Sequence, residues 1–322
     1  MLVNIYGMVN RYRNLIVPLE RTTLTLDTRG TLHLQSKFDG IYVFGDSLCD
    51  VGNAFDATTK ATGEGSPPSP PYFEGRFSNG WVWVEYLALL LGLTSHRSTN
   101  FAVGGATSGS MNTFIPDNPL NLPGLQQQIN SFVASLKETS QVANSQALYI
   151  VWAGANDYLG GGVTNPAMPI ENLLHAVTSL ATVGAQNCLV INLPDLGVLP
   201  ATRKDSQQSL LLTELTKAHN ISLAESLNAL QSSLGSSVNI ILFDLNSVFN
   251  QILSNPTTFG FTNVTDAELD RIVQSQPGTE KFFFWDGIHP TTASHIILAK
   301  SVFSLLFPTS VTEPYTENCT QA

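Results

Sequence analysis

The sequence predicts an α/β fold in which one parallel β-sheet lies between two layers of helices. After Gly40, short apolar runs alternate with longer segments whose apolar residues recur near the helical period of about 3.6. The short runs are apolar at almost every position, which is typical of parallel strands buried on both faces. With 322 residues, 43% of them hydrophobic, the chain can bury the core that such a sheet needs.

About five strands and five longer helices are expected in alternation. Apolar runs predict the strands at 41–44, 100–103, 147–152, 188–193 and 238–243. Helical periodicity predicts the helices at 80–93, 123–136, 170–183, 209–234 and 291–306. Pro123 begins one helix and Gly184 follows the end of another, where each residue type is preferred. Two further stretches, 56–77 and 250–284, are expected to be long, structureless and functional loops.

One domain over residues 41–310 contains all of these elements, because no linker-like stretch divides them. Residues 1–40 are expected to be a weakly structured N-terminal extension, since they lack the unbroken apolar stretch of a standard signal peptide. Residues 311–322 are expected to be a C-terminal tail. No run approaches the ~18 to 20 apolar residues of a transmembrane helix. We expect a soluble monomer. The low share of charged residues, 12%, favours an extracellular setting, but the compartment stays open.

Charge and cysteine content exclude two classes of protein. The formal net charge is −10 and the 15 basic residues are scattered, so no nucleic-acid partner is expected. The three cysteines lie far apart, with no His at metal-ligand spacing, so neither a disulfide scaffold nor a metal site is predicted. They are Cys49, Cys188 and Cys319.

Chemically competent side chains follow the predicted strands. Ligands of doubly wound sheets bind outside the carboxyl ends of the strands. Ser47, Gly105 and Asn156 come shortly after the first, second and third strands. Asp286 and His289 stand in a loop just ahead of the last helix. Each of these residues alone is usually a turn, a cap or a packing residue. Together, in this order, they predict one site.

These residue types predict nucleophilic catalysis. A serine hydroxyl needs a base, and His is the side chain whose protonation suits neutral pH. Asp286 precedes His289 by three residues, so its carboxylate can hold Nδ1 and leave Nε2 for Ser47. The N–H groups of Ser47 and Gly105 and the Asn156 amide are expected to form an oxyanion hole. The other histidines lack an acid at a useful spacing before them: His33, His96, His175, His219 and His295.

Neighbouring residues are assigned supporting or packing roles. Asp50 and Asn53 are expected to brace the turn after Ser47. Four aromatic residues are expected in the core: Phe77, Trp81, Trp83 and Tyr86. Three others lie in predicted loops, where substrate-facing and packing roles are equally expected: Tyr72, Phe73 and Trp285.

The motifs resemble those of the SGNH, or GDSL, hydrolase family. The matching blocks are YVFGDSL at 42–48 followed by DVGN at 50–53, NFAVGGA at 100–106, GAND at 154–157 and DGIHP at 286–290. The segments 75–80 and 194–197 resemble the branch with plant GDSL esterase/lipases and thermolabile-haemolysin-like lipases. The resemblance implies a flavodoxin-like sheet of five parallel strands and ester hydrolysis without metal or organic cofactor. It also implies Ser47 as nucleophile, Gly105 rather than Gly104 in the oxyanion hole with Asn156, and His289 as base with Asp286. Asp46 and Gly104 are assigned to support.

Several functions remain open at this stage. Within the family, the substrate is a small-molecule or lipid ester, with transient contact with a lipid surface through the two long loops. Acyl transfer and acetyl-sugar hydrolysis are alternatives on the same site. A flavodoxin-like sheet also suits an FMN-binding protein, which would leave Asp286 and His289 unexplained. A non-catalytic lipid- or sugar-binding module would be expected to lack Ser47, Asn156 or His289, and all three are present.

Overall fold

The computed structural model describes residues 37–93, 99–274 and 278–308, together with the backbone of two short strands before them. These are β1 (Leu24–Leu26) and β2 (Leu32–Leu34), which pair antiparallel with each other. They belong to one compact unit, Met1–Lys37 with Phe307–Ala322, and the other unit is Phe38–Leu306. The rest of the predicted N-terminal extension, the tail at 311–322, Cys319 and His96 lie outside the described residues.

A parallel sheet of four strands forms the centre of the second unit. Its strands stand in the order of the chain, β3 beside β4, β4 beside β5 and β5 beside β6. They are β3 (Gly40–Gly45), β4 (Ala147–Trp152), β5 (Asn187–Ile191) and β6 (Asn239–Phe243). Every residue of β4 is buried, as expected of a central strand covered on both faces.

The predicted strand at 100–103 lies parallel to β3 but pairs with it only as a short bridge. The N–H groups of Phe101 and Val103 donate to β3 carbonyls at 2.8 and 3.1 Å. Among the described residues no strand pairs with its other side, where the Asn53 side-chain amide donates to the carbonyls of Asn100 and Ala102 at 2.9 and 2.8 Å. The prediction of about five strands thus becomes four strands and one bridge. Counting this segment, the order is that of a flavodoxin-like doubly wound sheet.

Helices cover both faces of this sheet. In chain order they are α1 (Asn53–Thr62), α2 (Trp83–Leu90), α3 (Leu125–Glu138), α4 (Ala155–Leu159), α5 (Ala167–Thr182), α6 (Ser206–Leu234), α7 (Leu245–Ser254), α8 (Glu268–Val273) and α9 (Thr292–Leu306). Apolar residues of α3, α5 and α6 pack on the face that carries Tyr149 and Val151. On the opposite face Trp152 meets Trp83 of α2, with ring centroids 5.9 Å apart, and α9 packs on α2 and α7. The predicted three-layer α/β/α arrangement is confirmed.

The two stretches predicted to be structureless contain regular elements. The helix α1 occupies the beginning of 56–77, and threonine hydroxyls along it bind carbonyls one turn back. The stretch 250–284 holds the end of α7, a 3-10 helix (Pro256–Phe259), α8 and two parallel strands, β7 (Asn263–Ala267) and β8 (Phe282–Phe284). The prediction was wrong because Thr, Asn and Asp favour turns intrinsically, and tertiary contacts override that weak preference.

A buried carboxylate joins the turn after β3 to the bridge segment. The Asp50 side chain is fully buried and accepts four main-chain N–H groups at 2.6 to 3.1 Å, those of Gly52, Asn53, Ala54 and Gly104. Burial raises the pKa of Asp50 to about 6, against the opposite effect of these donors. Asp50 therefore fixes the chain after the first strand relative to the chain after the second.

The substitution Asp50→Ala is expected to lower the free energy of unfolding by at least about 3 kcal/mol, because several buried N–H groups lose their acceptor. Denaturant unfolding followed by circular dichroism measures the loss. The matched variant Asp50→Asn keeps one acceptor oxygen and should lose less. Equal stability of wild type and Asp50→Ala would contradict the assigned role.

Candidate active site

The predicted nucleophile lies in a tight turn directly after β3. Leu48 donates its N–H to Asp46 Oδ1 at 3.0 Å, and the Asp46 carbonyl accepts from Cys49 and Asp50 at 3.0 Å. The strand end before the turn is fixed by Gln128, whose side-chain amide both accepts from Gly45 N–H and donates to the Gly45 carbonyl at 2.9 Å. These contacts place the side chain of Ser47 at the carboxyl edge of the sheet.

The structure brings together the three residues of the predicted triad. His289 Nε2 lies 2.8 Å from Ser47 Oγ, although the two residues are 242 positions apart. His289 Nδ1 lies 2.7 and 2.9 Å from the two carboxylate oxygens of Asp286. Asp286 Oδ1 also accepts the N–H groups of Ile288 and His289 at 2.8 and 2.7 Å. The series Asp–His–Ser is therefore continuous, with one ring nitrogen facing each neighbour.

The carboxylate of this series stays ionised. Burial alone would raise the pKa of Asp286. The charge of His289, with hydrogen bonds from His289 and Ile288, outweighs burial and lowers the pKa to about 2. An ionised Asp286 keeps a proton on Nδ1 of His289, which leaves Nε2 as the acceptor for the Ser47 hydroxyl.

Two main-chain donors lie beside the serine with no acceptor of their own. Among the described residues, no carbonyl or side chain accepts the N–H of Ser47 or of Gly105. Gly105 has φ +78°, and a Cβ there would lie 2.4 Å from Phe114 N and 2.5 Å from Phe114 Cβ. Only glycine combines this backbone angle with this approach. Unpaired main-chain N–H groups are the kind of donor that an oxyanion hole uses.

The third predicted donor, Asn156, stands at the start of α4. One hydrogen of its Nδ2 is held by the Ala106 carbonyl at 3.0 Å, and the other faces Asp46 Oδ2 at 3.5 Å. The longer contact is weak, so this hydrogen is available to an oxyanion. Burial raises the pKa of Asp46 to about 7.

Two aromatic residues of the predicted loop at 56–77 also contact the site, Phe77, which was expected in the core, and Tyr72, whose role was open. The centroid of the Phe77 ring lies 5.1 Å from that of the His289 ring, with the ring planes tilted by 40°. The Phe77 ring also packs closely on Gly104, where a Cβ would lie 2.3 Å from Phe77 Cζ. Tyr72 donates its hydroxyl to Asp286 Oδ2 at 2.8 Å. Neither contact has a local sequence signal, since the partners lie about two hundred positions apart along the chain.

The residues after Phe77 grip the loop that carries the triad acid and base. Ser78 Oγ donates to the Pro290 carbonyl at 2.9 Å, Asn79 Oδ1 accepts the Thr292 N–H at 2.8 Å, and Thr292 Oγ1 donates to the Trp81 carbonyl at 2.9 Å. These contacts give a physical reason for the segment at 75–80 that the family resemblance singled out.

Other expectations for individual side chains have mixed outcomes. Trp83 is fully buried as predicted, whereas Trp81 is 38% exposed, so its assignment to the core was wrong. His219 is a buried packing residue whose Nδ1 lies 2.8 Å from the Tyr158 hydroxyl, and burial lowers its pKa to about 4. His295 lies within α9, as expected, and is buried.

A pocket of about 450 Å³ opens above the serine. It is within the size range of small-molecule sites, and about half of its lining is apolar. The apolar lining residues are Pro67, Pro68, Tyr72, Phe77, Phe114, Leu159 and Ile288. The predicted loop 56–77 contributes to this wall, whereas none of the described residues of 250–284 does.

The described residues contain neither a cluster of candidate metal ligands nor a helix that could span a membrane. No three His, Cys, Asp or Glu side chains gather there as candidate metal ligands. In the same residues no helix has the length and apolar character needed to cross a membrane.

The doubly wound sheet and the hydrogen-bonded Ser–His–Asp series beside unpaired donors define the class of a serine hydrolase. The model of the GDSL-like lipase/acylhydrolase family matches residues 41–302. The chain therefore belongs to this family of serine ester hydrolases, as the motifs predicted.

Relatives of known name are similar over most of the chain. The thermolabile hemolysin of Vibrio parahaemolyticus is 30% identical over 279 residues, which cover 81% of this chain and 62% of the relative. The phosphatidylcholine-sterol acyltransferase of Aeromonas hydrophila is 30% identical over 315 residues, covering 82% and 88%. Among solved structures, the inhibitor-bound aryl esterase of M. smegmatis aligns with TM-score 0.43 and 20% identity, covering 83% of this chain and 99% of that one.

The substitution Gly105→Ala is expected to lower kcat by roughly 100-fold or more, because the new Cβ displaces a main-chain donor from the oxyanion hole. Steady-state kinetics on a p-nitrophenyl ester measures the loss. Gly63→Ala is the matched control, since Gly63 has a similar φ of +83° but nothing within 4 Å of a Cβ. A Gly105→Ala enzyme as active as this control would contradict the assignment.

Proposed function

We propose that this chain hydrolyses carboxylic esters through an acyl-enzyme on Ser47, with His289 as general base and Asp286 as its orienting acid. The observation that supports this most directly is the 2.8 Å contact between Ser47 Oγ and His289 Nε2, in line with the Asp286 contact at Nδ1. A histidine that served only in packing would not be expected to contact a serine and a carboxylate through its two ring nitrogens. The hydrolase domain of this proposal spans residues 41–310.

The reaction follows from this geometry in two steps. Ser47 Oγ attacks the ester carbonyl while His289 Nε2 takes its proton, and His289 then gives that proton to the departing alcohol. In the second step His289 takes a proton from water, the hydroxide formed attacks the acyl carbonyl, and the acid leaves as His289 returns the proton to Ser47 Oγ. In both steps negative charge develops on the carbonyl oxygen. The N–H groups of Ser47 and Gly105 and the Asn156 amide are the donors for that charge.

The alternatives from other classes have less support. An FMN site would not account for the alignment of Asp286, His289 and Ser47. A non-catalytic binding module would not account for two unpaired N–H groups beside an intact series. Acyl transfer differs from hydrolysis only in the second acceptor, an alcohol in place of water, and a 30% identical relative bears the name of a phosphatidylcholine-sterol acyltransferase. We therefore keep it as the second candidate.

The setting of the reaction belongs to the same proposal. We propose a monomer that acts outside the cell on a small-molecule or lipid ester and touches a lipid surface transiently. Ile288 supports lipid contact, because it lines the pocket and remains 37% exposed at the mouth. The low share of charged residues supports an extracellular setting, and one relative is named a secreted effector protein.

Substitutions of the three aligned residues test the mechanism. Ser47→Ala is expected to lower kcat on a p-nitrophenyl ester by at least roughly 10⁴-fold, because no nucleophile remains. Asp286→Asn should lose about tenfold less than His289→Ala, since a neutral imidazole still accepts a proton. Ser237→Ala, which removes a serine hydroxyl at the amino end of β6, is the control. Activity of Ser47→Ala within a few-fold of wild type would overturn the nucleophile.

The size of the pocket predicts the acyl preference. In a series of p-nitrophenyl esters from acetyl to dodecanoyl, kcat/KM is expected to rise by up to about fourfold per added CH2 while the chain stays inside the apolar wall. It should stop rising at medium length, where further carbons reach beyond a volume of about 450 Å³. A maximum at the acetyl ester would instead indicate an acetylesterase.

Gly160→Leu tests the same wall from inside. A Cβ on Gly160 would lie 3.2 Å from Thr113 Cβ, and both residues line the pocket. The variant should shift the preferred acyl chain to shorter lengths while hydrolysis of the acetyl ester changes little. A uniform loss across the series would contradict this location of the acyl chain.

A further inference from the structure

The hydroxyl of Tyr72 contacts the triad from outside the triad's own loop. Tyr72 lies between α1 and α2 and is half-buried. Its hydroxyl donates to Asp286 Oδ2 at 2.8 Å, and its ring meets Trp285 edge to face, with centroids 5.9 Å apart and planes at 87°. The contact joins two segments that are 214 positions apart.

Four donors contact the two oxygens of Asp286, and one of them, His289 Nδ1, lies 2.9 Å from Oδ1 and 2.7 Å from Oδ2. Oδ1 accepts the N–H groups of Ile288 and His289, which belong to the same turn as the carboxylate. Oδ2 accepts His289 Nδ1 at 2.7 Å and the Tyr72 hydroxyl at 2.8 Å. Within the described residues, Tyr72 is therefore the one donor to this carboxylate that a different segment supplies. The Tyr72 hydroxyl binds Oδ2, which is the carboxylate oxygen closer to Nδ1 of the His289 ring.

The position of Tyr72 is itself fixed. Its N–H donates to the Pro68 carbonyl at 3.1 Å. A few residues on, Arg76 forms a buried ion pair with Glu85 of α2, with 2.7 Å between Nη2 and Oε1, and donates to the Glu74 carbonyl at 2.9 Å. An ion pair with both partners buried is held rigidly, because breaking it leaves an uncompensated charge. These contacts thus hold the Tyr72 hydroxyl in a fixed position beside Asp286.

We propose that Tyr72 is a positioning residue for the base: its hydroxyl holds Asp286 Oδ2 on His289 Nδ1 and draws part of the carboxylate charge to itself. This rests on the proposed function of Ser47 and His289. A carboxylate whose charge is shared with a neutral donor stabilises the imidazolium less. Tyr72 therefore keeps the imidazole neutral, and able to accept the serine proton, at a lower pH than the Asp–His pair alone would.

The test removes the hydroxyl and keeps the ring. In Tyr72→Phe, kcat/KM at neutral pH is expected to fall roughly three- to tenfold, and its low-pH limb to move up by roughly 0.5 to 1 pH unit. The KM should stay within about twofold. Among the described residues, Asp46 after β3 and His295 on α9 also interact electrostatically with His289. Neither is changed by the substitution.

Two further variants separate positioning from packing. Tyr149→Phe is the matched control, since it also removes one tyrosine hydroxyl, bonded to the Asn144 carbonyl at 2.9 Å, on the amino side of the sheet. In an Asp286→Asn background, Tyr72→Phe should cause little further loss, because the hydroxyl acts through the carboxylate. An NMR titration of the His289 ring should shift in the same direction as the limb, without any need for turnover.

Three outcomes would overturn the proposal: a low-pH limb and ring titration unchanged in Tyr72→Phe, a change in KM alone, or equal losses with and without the Asp286 carboxylate. The first leaves Tyr72 as packing, and the second makes it only a wall for the substrate. Hydrolysis that does not depend on Ser47 would refute the proposed function instead, and it is recognised by the Ser47→Ala variant without reference to Tyr72.

Discussion

The site depends on one hydrogen bond of 2.8 Å between Ser47 and His289, residues from opposite ends of the domain. A displacement of 1 Å would break it, so both ends must be held independently. At the serine end, Gln128 holds Gly45 through two hydrogen bonds, and Asp50 accepts three N–H groups of the following turn and that of Gly104. At the other end, residues 72–81 bind the loop of Asp286 and His289 and the beginning of α9 through side-chain and main-chain hydrogen bonds.

Buried carboxylates accept many of these hydrogen bonds, and their surroundings shift their pKa values in opposite directions. Asp286, surrounded by donors and facing the base, has its pKa lowered to about 2, whereas burial raises the pKa of Asp46 to about 7. Two carboxylates near one histidine with pKa values pushed apart are a familiar feature of active sites. Here the ionised one orients the base, and the other contacts the oxyanion amide of Asn156 only at 3.5 Å. The second hydrogen of that amide can thus bind a substrate oxygen while the first stays on the Ala106 carbonyl.

Much of this arrangement could be predicted from the sequence, because its signals are local. The strand β4 and the helices α5 and α6 have unbroken apolar runs or helical periods, so their predicted bounds differ from the observed ones by a few residues at most. The residues at the strand ends followed from the rule for parallel sheets. The contacts of Tyr72 and Phe77 could not be predicted, since no local pattern records which of two distant loops will meet. The prediction for Trp81 was wrong for a related reason. An aromatic residue at the beginning of a predicted helix was assigned to the core, yet Trp81 binds Thr292 through its main-chain carbonyl.

The segment between α1 and α2 ties substrate selection to catalysis. Pro67, Pro68, Tyr72 and Phe77 form one wall of the pocket, and two of them also contact the triad, Tyr72 through Asp286 and Phe77 through the ring of His289. A change that widens this wall must therefore also move the groups that orient the base. Thr113, Leu159 and Gly160 also line the pocket. The main-chain N–H groups of Thr113 and Gly160 donate to the carbonyls of Gly105 and Asn156, and Thr113 Oγ1 also donates to the Gly105 carbonyl at 3.2 Å. The side chains at positions 159 and 160 can therefore vary without removing a side-chain hydrogen bond to these carbonyls. Side chains on the oxyanion side of the pocket can thus change with acyl preference, whereas the side that contacts the base is constrained by its role in catalysis.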